Sequence, residues 1–284
     1  MNQVPLQFTE EVLTVLSGIW SVNKQTDLSG SFGKCASRLL QLGHYKSLNI
    51  QNGKFHKVSH HDYNGRKIAD DHCKLPSKFT LTKNVSFEVT CGVVPSIDEK
   101  LESHLGRFFK SSGLLSLTIF NSSFNDKWIQ QFASWKKLRQ LVIYVDLNDP
   151  VCSLIELLVN QEQLLEIMII SENSYAQKTG IFGNFLRQKQ AECLTFYQFD
   201  EEFKNGILKL AEENSEAFAG KSICWKCKAN VFDNAPKNLQ RMDRDIMRFS
   251  SENITVDYEN VTATQQTTEK EFMEGVQMIN LRFI

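Results

Sequence analysis

A short apolar motif recurs three times in the middle of the chain and constrains its fold more than any other feature. The copies have the pattern Leu-x-x-Leu/Ile-x-Ile, and they span Leu114–Ile119, Leu138–Ile143 and Leu164–Ile169. Because apolar side chains alternate within each copy, we expect each to form a strand with one buried face. Weaker copies follow at Cys193–Phe199 and Ser222–Cys227, so the middle of the chain is predicted to be a repeat.

Amphipathic helical patterns separate the copies, at residues 97–110, 125–136, 151–160 and 200–214. Alternating strands and helices predict parallel strands joined by right-handed crossovers. The spacing also falls within the roughly 20–29 residues of leucine-rich repeats. We therefore predict an α/β fold: a short N-terminal helical module, then an irregular leucine-rich-repeat-like β/α solenoid with mainly parallel strands. A doubly wound sheet is the alternative. It would bring a phosphate-binding glycine turn after a strand, and this sequence contains no such turn.

The segments that flank the repeats have strand patterns of a different kind. Asn52-Gly53 and Asn64-Gly65 are hairpin turns between short strands. Residues 253–263 and 276–284 are strands that we expect to close the sheet edge. The predicted organisation is a helical module at 1–45, a hairpin segment at 46–84, repeats at 85–230 and closing strands at 231–284.

The N-terminal segment is predicted to be a helix that begins after Thr9, which suits the N-cap position. Glu10 and Glu11 occupy the first turn, where the helix dipole favours negative charge. An apolar stripe follows, made of Val12, Val15, Leu16 and Ile19. The periodicity is equally consistent with a helix that only caps the rest of the fold.

The stretch VPLQFTEEVLTVL, with SGSFGKCASRL after it, resembles the opening of a nematode family of F-box-like proteins. The F-box is a short helical module that docks a Skp-type adaptor. The resemblance implies that the adaptor-facing or module-core positions are Pro5, Phe8, Val12, Leu13 and Leu16. It also implies a substrate-recognition subunit of a cullin-type ubiquitin ligase.

The charge balance argues against binding to nucleic acid or to a membrane surface, since both need a basic excess. The chain has 32 basic and 33 acidic residues and a net charge of −1. We find no signal-peptide pattern and no apolar run of about 20 residues, so we expect a cytoplasmic or nuclear protein. Seven scattered cysteines fit reduced thiols.

Two groups of metal-ligand residues are better explained without a metal. Cys224 and Cys227 lack a second cysteine pair, and residues three apart on a strand point to opposite faces. The other group fits a hairpin with surface histidines; it comprises His56, His60, His61, His72 and Cys73. We therefore predict no metal site.

No pattern in the sequence indicates catalysis or a cofactor. The stretch Ala219–Ser222 reads AGKS, but the first glycine of a phosphate-binding loop would fall at Ser215. A Gly-x-Ser-x-Gly elbow is also missing. We expect no cofactor and no enzymatic activity.

The outward positions of the repeat strands are rich in aromatic and apolar side chains. One predicted row holds Phe120, Tyr144, Ile170 and Phe199, and its neighbour holds Thr118, Val142, Met168 and Tyr197. Such side chains dominate interface energetics. We predict a partner-binding surface formed by Phe120, Tyr144, Met168, Ile170, Tyr197 and Phe199; the alternative is that another layer covers this face.

These expectations combine into two functional hypotheses. The first is a protein-interaction protein that joins a Skp-type adaptor to a target protein through the repeat body. The second is a repeat scaffold with no link to a ubiquitin ligase, in which the first helices serve only as a cap.

Overall fold

The computed structural model describes residues 30–62, 64–68, 79–90, 97–121, 124–171, 175–198, 200–226 and 238–284. The chain divides into two compact units, Met1–Gln140 and Leu141–Ile284. We refer to them as unit one and unit two. Both have an α/β architecture with parallel strands at their centre, which confirms the prediction of an α/β fold with mainly parallel strands.

Unit one combines helices and strands in alternation. Its helices are α1 (Gly30–Leu42), α2 (Glu99–Lys110) and α3 (Asp126–Ala133). Its strands are β1 (His44–Gln51), β2 (Lys54–Asp62), β3 (Lys67–Ile68), β4 (Thr80–Glu88) and β5 (Leu114–Ile119). The strand order is β5-β4-β1-β2-β3, with β1, β4 and β5 parallel. β2 pairs with β1 in the antiparallel direction.

The boundary between the units falls inside β6 (Leu138–Ile143). The helices of unit two are α4 (Asp149–Asn160), α5 (Thr179–Leu186), α6 (Glu201–Glu213), α7 (Ser215–Phe218) and α8 (Glu269–Glu274). Its further strands are β7 (Glu166–Ile169), β8 (Cys193–Phe196), β9 (Ser222–Lys226), β10 (Gln240–Asp243), β11 (Ile246–Ser250), β12 (Ile254–Glu259) and β13 (Met278–Phe283). Their order is β10-β11-β12-β13-β9-β8-β7.

Side-chain caps determine where four of the helices begin. Asp98, Asn125, Asn148 and Asp200 each accept a hydrogen bond from the backbone N–H three residues later. Each cap satisfies a donor that has no partner within its helix. The four helices predicted between the repeat strands are confirmed. Helices α5, α7 and α8 were not expected.

Turn chemistry explains both hairpins of unit one. Asn52 and Gly53 have φ values of +49° and +74°, the left-handed conformation that a two-residue turn between antiparallel strands requires. At the second turn, the Asp62 Oδ1 accepts hydrogen bonds from the backbone N–H groups of Asn64 and Arg66. Both predicted hairpins are therefore confirmed.

Aromatic side chains fill the space between strands and helices in each unit. In unit one, the Phe87 ring on β4 lies 4.8 Å from Trp128 and 5.3 Å from Phe132, measured between centroids. In unit two, the Phe196 ring on β8 lies 5.3 Å from Phe182 and 4.8 Å from Phe203. The face of each sheet that carries Phe87 or Phe196 is therefore the helix face.

Each unit also contains a lysine that donates to backbone carbonyl groups from a buried position. The Lys83 Nζ donates to the carbonyl oxygens of Phe109 and Ser111 at 3.2 and 2.6 Å, at the end of α2. The Lys221 Nζ donates to those of Lys189 and Ala191 at 3.0 and 2.5 Å. Burial is the main cause that lowers both pKa values, and that of Lys83 falls to about 8.

The C-terminal part of unit two adds antiparallel strands to the parallel ones. β12 and β13 confirm the two predicted strands, and β13 pairs with β9. β10 and β11, which were not expected, lie beyond β12. The edge strand of this order, β10, has only four residues and an irregular register. These features make it a poor template for pairing with another chain.

Candidate functional site: the open face of the strands

The strand positions that alternate with the buried core define a second face, which we call the open face. In unit one its central members are Ser47, Asn49, Asn84, Ser86 and Thr118, which pair in register across β1, β4 and β5. The Thr118 hydroxyl donates to the Asn84 Oδ1 at 2.9 Å, and the Asn84 Nδ2 donates to the Ser86 Oγ, also at 2.9 Å. The open face of unit one is therefore a hydrogen-bonded polar surface.

A groove of about 390 Å³ lies on this polar surface. Lys57, Lys67 and His61 line it from β2 and β3, and Glu88 and Phe120 line it from β4 and the end of β5. Within the described residues, neither Lys57 nor Lys67 forms an ion pair. Phe120 is 44% exposed, so the predicted partner-binding residue of unit one is open to solvent where it lines the groove.

In unit two, the residues that follow three parallel strands form a row of large side chains, of which two are exposed and one is half-buried. Tyr144, Ile170 and Tyr197 come directly after β6, β7 and β8. The Ile170 N–H donates to the Ile143 carbonyl at 2.7 Å, and the Tyr197 N–H donates to the Ile169 carbonyl at 2.9 Å. Tyr144 is 44% and Tyr197 52% exposed. We call these three residues the aromatic row, after its two tyrosines.

The register of β8 corrects one part of the sequence prediction. Ile167 pairs with Leu194 and Met168 with Thr195, whereas the motif had placed Cys193 and Phe196 at the first two core positions of the fourth copy. The pairing puts Tyr197, and not Phe199, beside Ile170. The motif gave the wrong register because β8 has only four residues, too few apolar positions to fix its alignment. Phe199 itself lies outside the described residues.

A polar network joins described residues that follow the aromatic row. The Ser171 hydroxyl donates to the Asp146 Oδ1 at 2.7 Å, and the Tyr175 hydroxyl donates to the Ser171 carbonyl. The Asp200 carboxylate accepts from the backbone N–H of Tyr175 at 2.8 Å and from that of Phe203 at 2.9 Å. Burial raises the pKa of Tyr175 to about 12, so its hydroxyl stays a donor at neutral pH. The network stabilises the backbone next to the residues of the aromatic row.

Two thiols lie together on the open face of unit two. The Cys193 Sγ on β8 and the Cys224 Sγ on β9 are 3.8 Å apart. Their hydrogen bond is the main cause that lowers the pKa of the Cys193 thiol and raises that of Cys224. Spacing in the sequence associates Cys224 only with Cys227, which lies outside the described residues. The contact with Cys193 has no sequence signal, because only the pairing of β8 with β9 brings residues 31 positions apart together.

The structure also places the other residues that sequence analysis considered. His60 and His61 are neighbours on β2 and pair with different β1 residues, Lys46 and Tyr45, so they point to opposite faces. His72 and Cys73 lie outside the described residues. Among the described residues, no group of three or more histidine, cysteine or acidic side chains is arranged to hold a metal. Lys221 of the AGKS stretch donates to backbone carbonyls instead.

No protein-family model, no curated protein and no solved structure matches this chain. None of the helices in the described part of the chain is both long and apolar enough to span a membrane. The predicted adaptor-binding positions Pro5, Phe8, Val12, Leu13 and Leu16 lie outside the described residues. The candidate site therefore rests on the open face and the aromatic row.

Proposed function

We propose that this chain is a protein-interaction protein, a substrate-recognition subunit that links a cullin-type ubiquitin ligase to a target protein. The observation that carries the recognition part is the aromatic row, which stands exposed at the carboxyl ends of three strands. The ligase part rests on the resemblance of the N-terminal segment to an F-box. The receptor does no chemistry in this proposal, because it holds a target near a ubiquitin-charged enzyme.

We further propose that the body is an irregular leucine-rich-repeat-like solenoid. Three observations support this. Successive core positions Ile167, Leu194 and Ile223 pair in parallel register, and helices lie between the strands. In unit one, the Asn121 Nδ2 donates to the Val89 carbonyl at 2.9 Å, a bond between the ends of neighbouring repeats. The repeat lengths differ, which accounts for the irregularity.

The aromatic row suits a protein partner for energetic reasons. Tyrosine side chains supply a large contact area with few rotatable bonds, and they are enriched among the residues that dominate binding energy. Ile170 lies between the two tyrosines and is half-buried. The network of Asp146, Ser171 and Tyr175 stabilises the adjacent backbone. Binding would therefore lose little further backbone entropy.

The adaptor part is tested by co-purification of the full chain with a Skp-type adaptor. Val12→Glu or Leu16→Glu should abolish adaptor binding, because a charge would be placed in an apolar contact. The double variant Tyr144→Ala with Tyr197→Ala should retain the adaptor. If the unmodified chain holds no adaptor, the ligase role is wrong and the repeat scaffold without a ligase link is the better description.

The recognition part is tested by comparing the proteins captured by three forms of the full chain. The forms are the unmodified chain, the Tyr144→Ala/Tyr197→Ala variant and a control with two exposed α6 residues changed, Glu202→Ala and Glu212→Ala. A target of the row should be lost only from the tyrosine variant and should bind again as a purified protein. Equal binding of that purified target to all three forms would reject the aromatic row as the recognition surface.

A further inference from the structure

Cys193 and Cys224 form a pair of thiols that the partner-recognition proposal does not use. Cys193 pairs in register with Ser222, and Thr195 pairs with Cys224, so the two cysteines are diagonal neighbours on parallel strands. Their side chains nevertheless lean toward each other, with 3.8 Å between the sulfur atoms. The approach is therefore a property of the side chains and not of directly opposed backbone positions.

The pair is accessible from the open face. Leu194 and Phe196 alternate with Cys193 and are fully buried on the helix face, so Cys193 must point the other way. Both thiols are partly exposed, whereas the described cysteines Cys35 and Cys152 are buried. An ion could therefore reach the pair without any opening of the core.

We propose that the Cys193 and Cys224 sulfur atoms form a two-thiolate site for a thiophilic divalent d10 cation, the class that contains Zn²⁺ and Cd²⁺. Soft thiolate ligands favour such ions over hard oxygen-seeking ones. Two metal–sulfur bonds of about 2.3 Å to atoms 3.8 Å apart enclose about 110°, close to the tetrahedral angle. The ion would thus fit between the sulfur atoms as they stand.

Binding replaces two S–H bonds with two metal–sulfur bonds and releases two protons to water. The described residues supply no third histidine, cysteine or acidic ligand at the pair, so two tetrahedral positions face solvent and take water. Such a site is exchangeable, unlike a structural zinc with four protein ligands. Glu166, in register with Cys193 on β7, adds a negative charge that favours a cation.

The test is a titration of the fully reduced full chain with Cd²⁺, followed by the ultraviolet absorption of the cadmium–thiolate bond. Cys193→Ser and Cys224→Ser should each weaken the site by at least about tenfold, since loss of an outer-shell partner alone can cost that much. Cys152→Ser is the matched control, because Cys152 is buried and its thiol donates to the Leu147 carbonyl. It should bind Cd²⁺ like the unmodified chain.

Because the sequence has seven cysteines, a second measurement assigns the site in the unmodified chain. Reduced protein is treated with iodoacetamide with and without Cd²⁺, and alkylation of each cysteine is read by peptide mass spectrometry. We expect Cd²⁺ to protect Cys193 and Cys224 together. Protection of other cysteines only, or equal Cd²⁺ binding by both serine variants and the unmodified chain, would overturn the proposal.

Discussion

The Asn121 side chain, which follows β5, donates a hydrogen bond from its Nδ2 to the carbonyl oxygen of Val89, which follows β4, at 2.9 Å. The bond joins the ends of two parallel strands at the point where the ladder of backbone bonds stops. A partly buried carbonyl that loses a side-chain donor becomes less well satisfied, which costs stability. This side-chain bond therefore adds to the backbone pairing of β4 with β5.

We predict that Asn121→Ala lowers the free energy of unfolding by about 1 kcal/mol, the net value of one such hydrogen bond. Urea denaturation followed by circular dichroism measures the change. Asn205→Ala, at an exposed position of α6, is the control and should change stability by less than about 0.5 kcal/mol. Equal effects of the two substitutions would show that the Val89 contact does not stabilise the fold.

Lys83 predicts a pH dependence of stability with a definite sign. Burial, with smaller contributions from Lys137 and Lys46, lowers its pKa from 10.5 to about 8. Between these values the unfolded chain binds more protons than the folded one, so this residue makes stability rise with pH. From pH 8.5 to pH 10 the rise should be about 1–2 kcal/mol, since one pKa unit is worth about 1.4 kcal/mol.

Denaturant unfolding of the unmodified chain and of Lys83→Met at both pH values isolates this contribution. It is the difference between the two proteins in how steeply the free energy of unfolding changes with pH. Lys127→Met, at an exposed position of α3, should keep the original slope. A Lys83→Met variant with the same pH dependence as the unmodified chain would contradict the assignment.

The Asp200 carboxylate accepts hydrogen bonds from two backbone N–H groups, those of Phe203 and Tyr175. Among the described residues, the Asp98 side chain accepts a hydrogen bond from the backbone N–H of Leu101 only. We predict that Asp98→Ala costs about 1 kcal/mol, the usual value for a lost N-cap. Asp200→Ala should cost at least about 1 kcal/mol more, because it also leaves the Tyr175 N–H without its acceptor.

Thermal unfolding of the two variants compares them directly. The Asp200→Ala variant should melt at the lower temperature. If both melt together, the bond to the Tyr175 backbone does not contribute to stability.

Gly113 and Gly220 illustrate two reasons why a position favours glycine, a positive φ angle and a lack of space for a Cβ atom. Both have positive φ, +97° and +77°, but a Cβ on Gly113 would lie 2.7 Å from the Thr80 carbonyl oxygen, whereas one on Gly220 would meet open space. Gly220→Ala should cost about 1 kcal/mol from backbone strain alone. Gly113→Ala should cost clearly more, because the start of β4 must shift.

Chemical denaturation of both variants gives the comparison. A Gly113→Ala variant no less stable than Gly220→Ala would mean that the contact with Thr80 relaxes without cost.

The sequence predicted most of the strands and the helices between them, because caps and apolar periodicity act locally. The amphipathic patterns at residues 125–136 and 200–214 predicted helices that the structure contains. The register of β8 was predicted wrongly, since a four-residue strand offers too few apolar positions to fix the alignment of Leu194 with Ile167. The Cys193–Cys224 contact could not be predicted, because it depends on which strands become neighbours. Tyr144 and Tyr197, by contrast, could be identified as outward-facing from alternation alone.

The alternation seen at Phe196 and Tyr197 has an evolutionary consequence. One of these adjacent residues is locked among Phe182 and Phe203, while the other is 52% exposed. Substitutions at the exposed position leave the packing of Phe196 untouched, so mutations there can accumulate without loss of foldability. The chemistry of the exposed row can therefore change over evolution while the packed scaffold stays nearly constant.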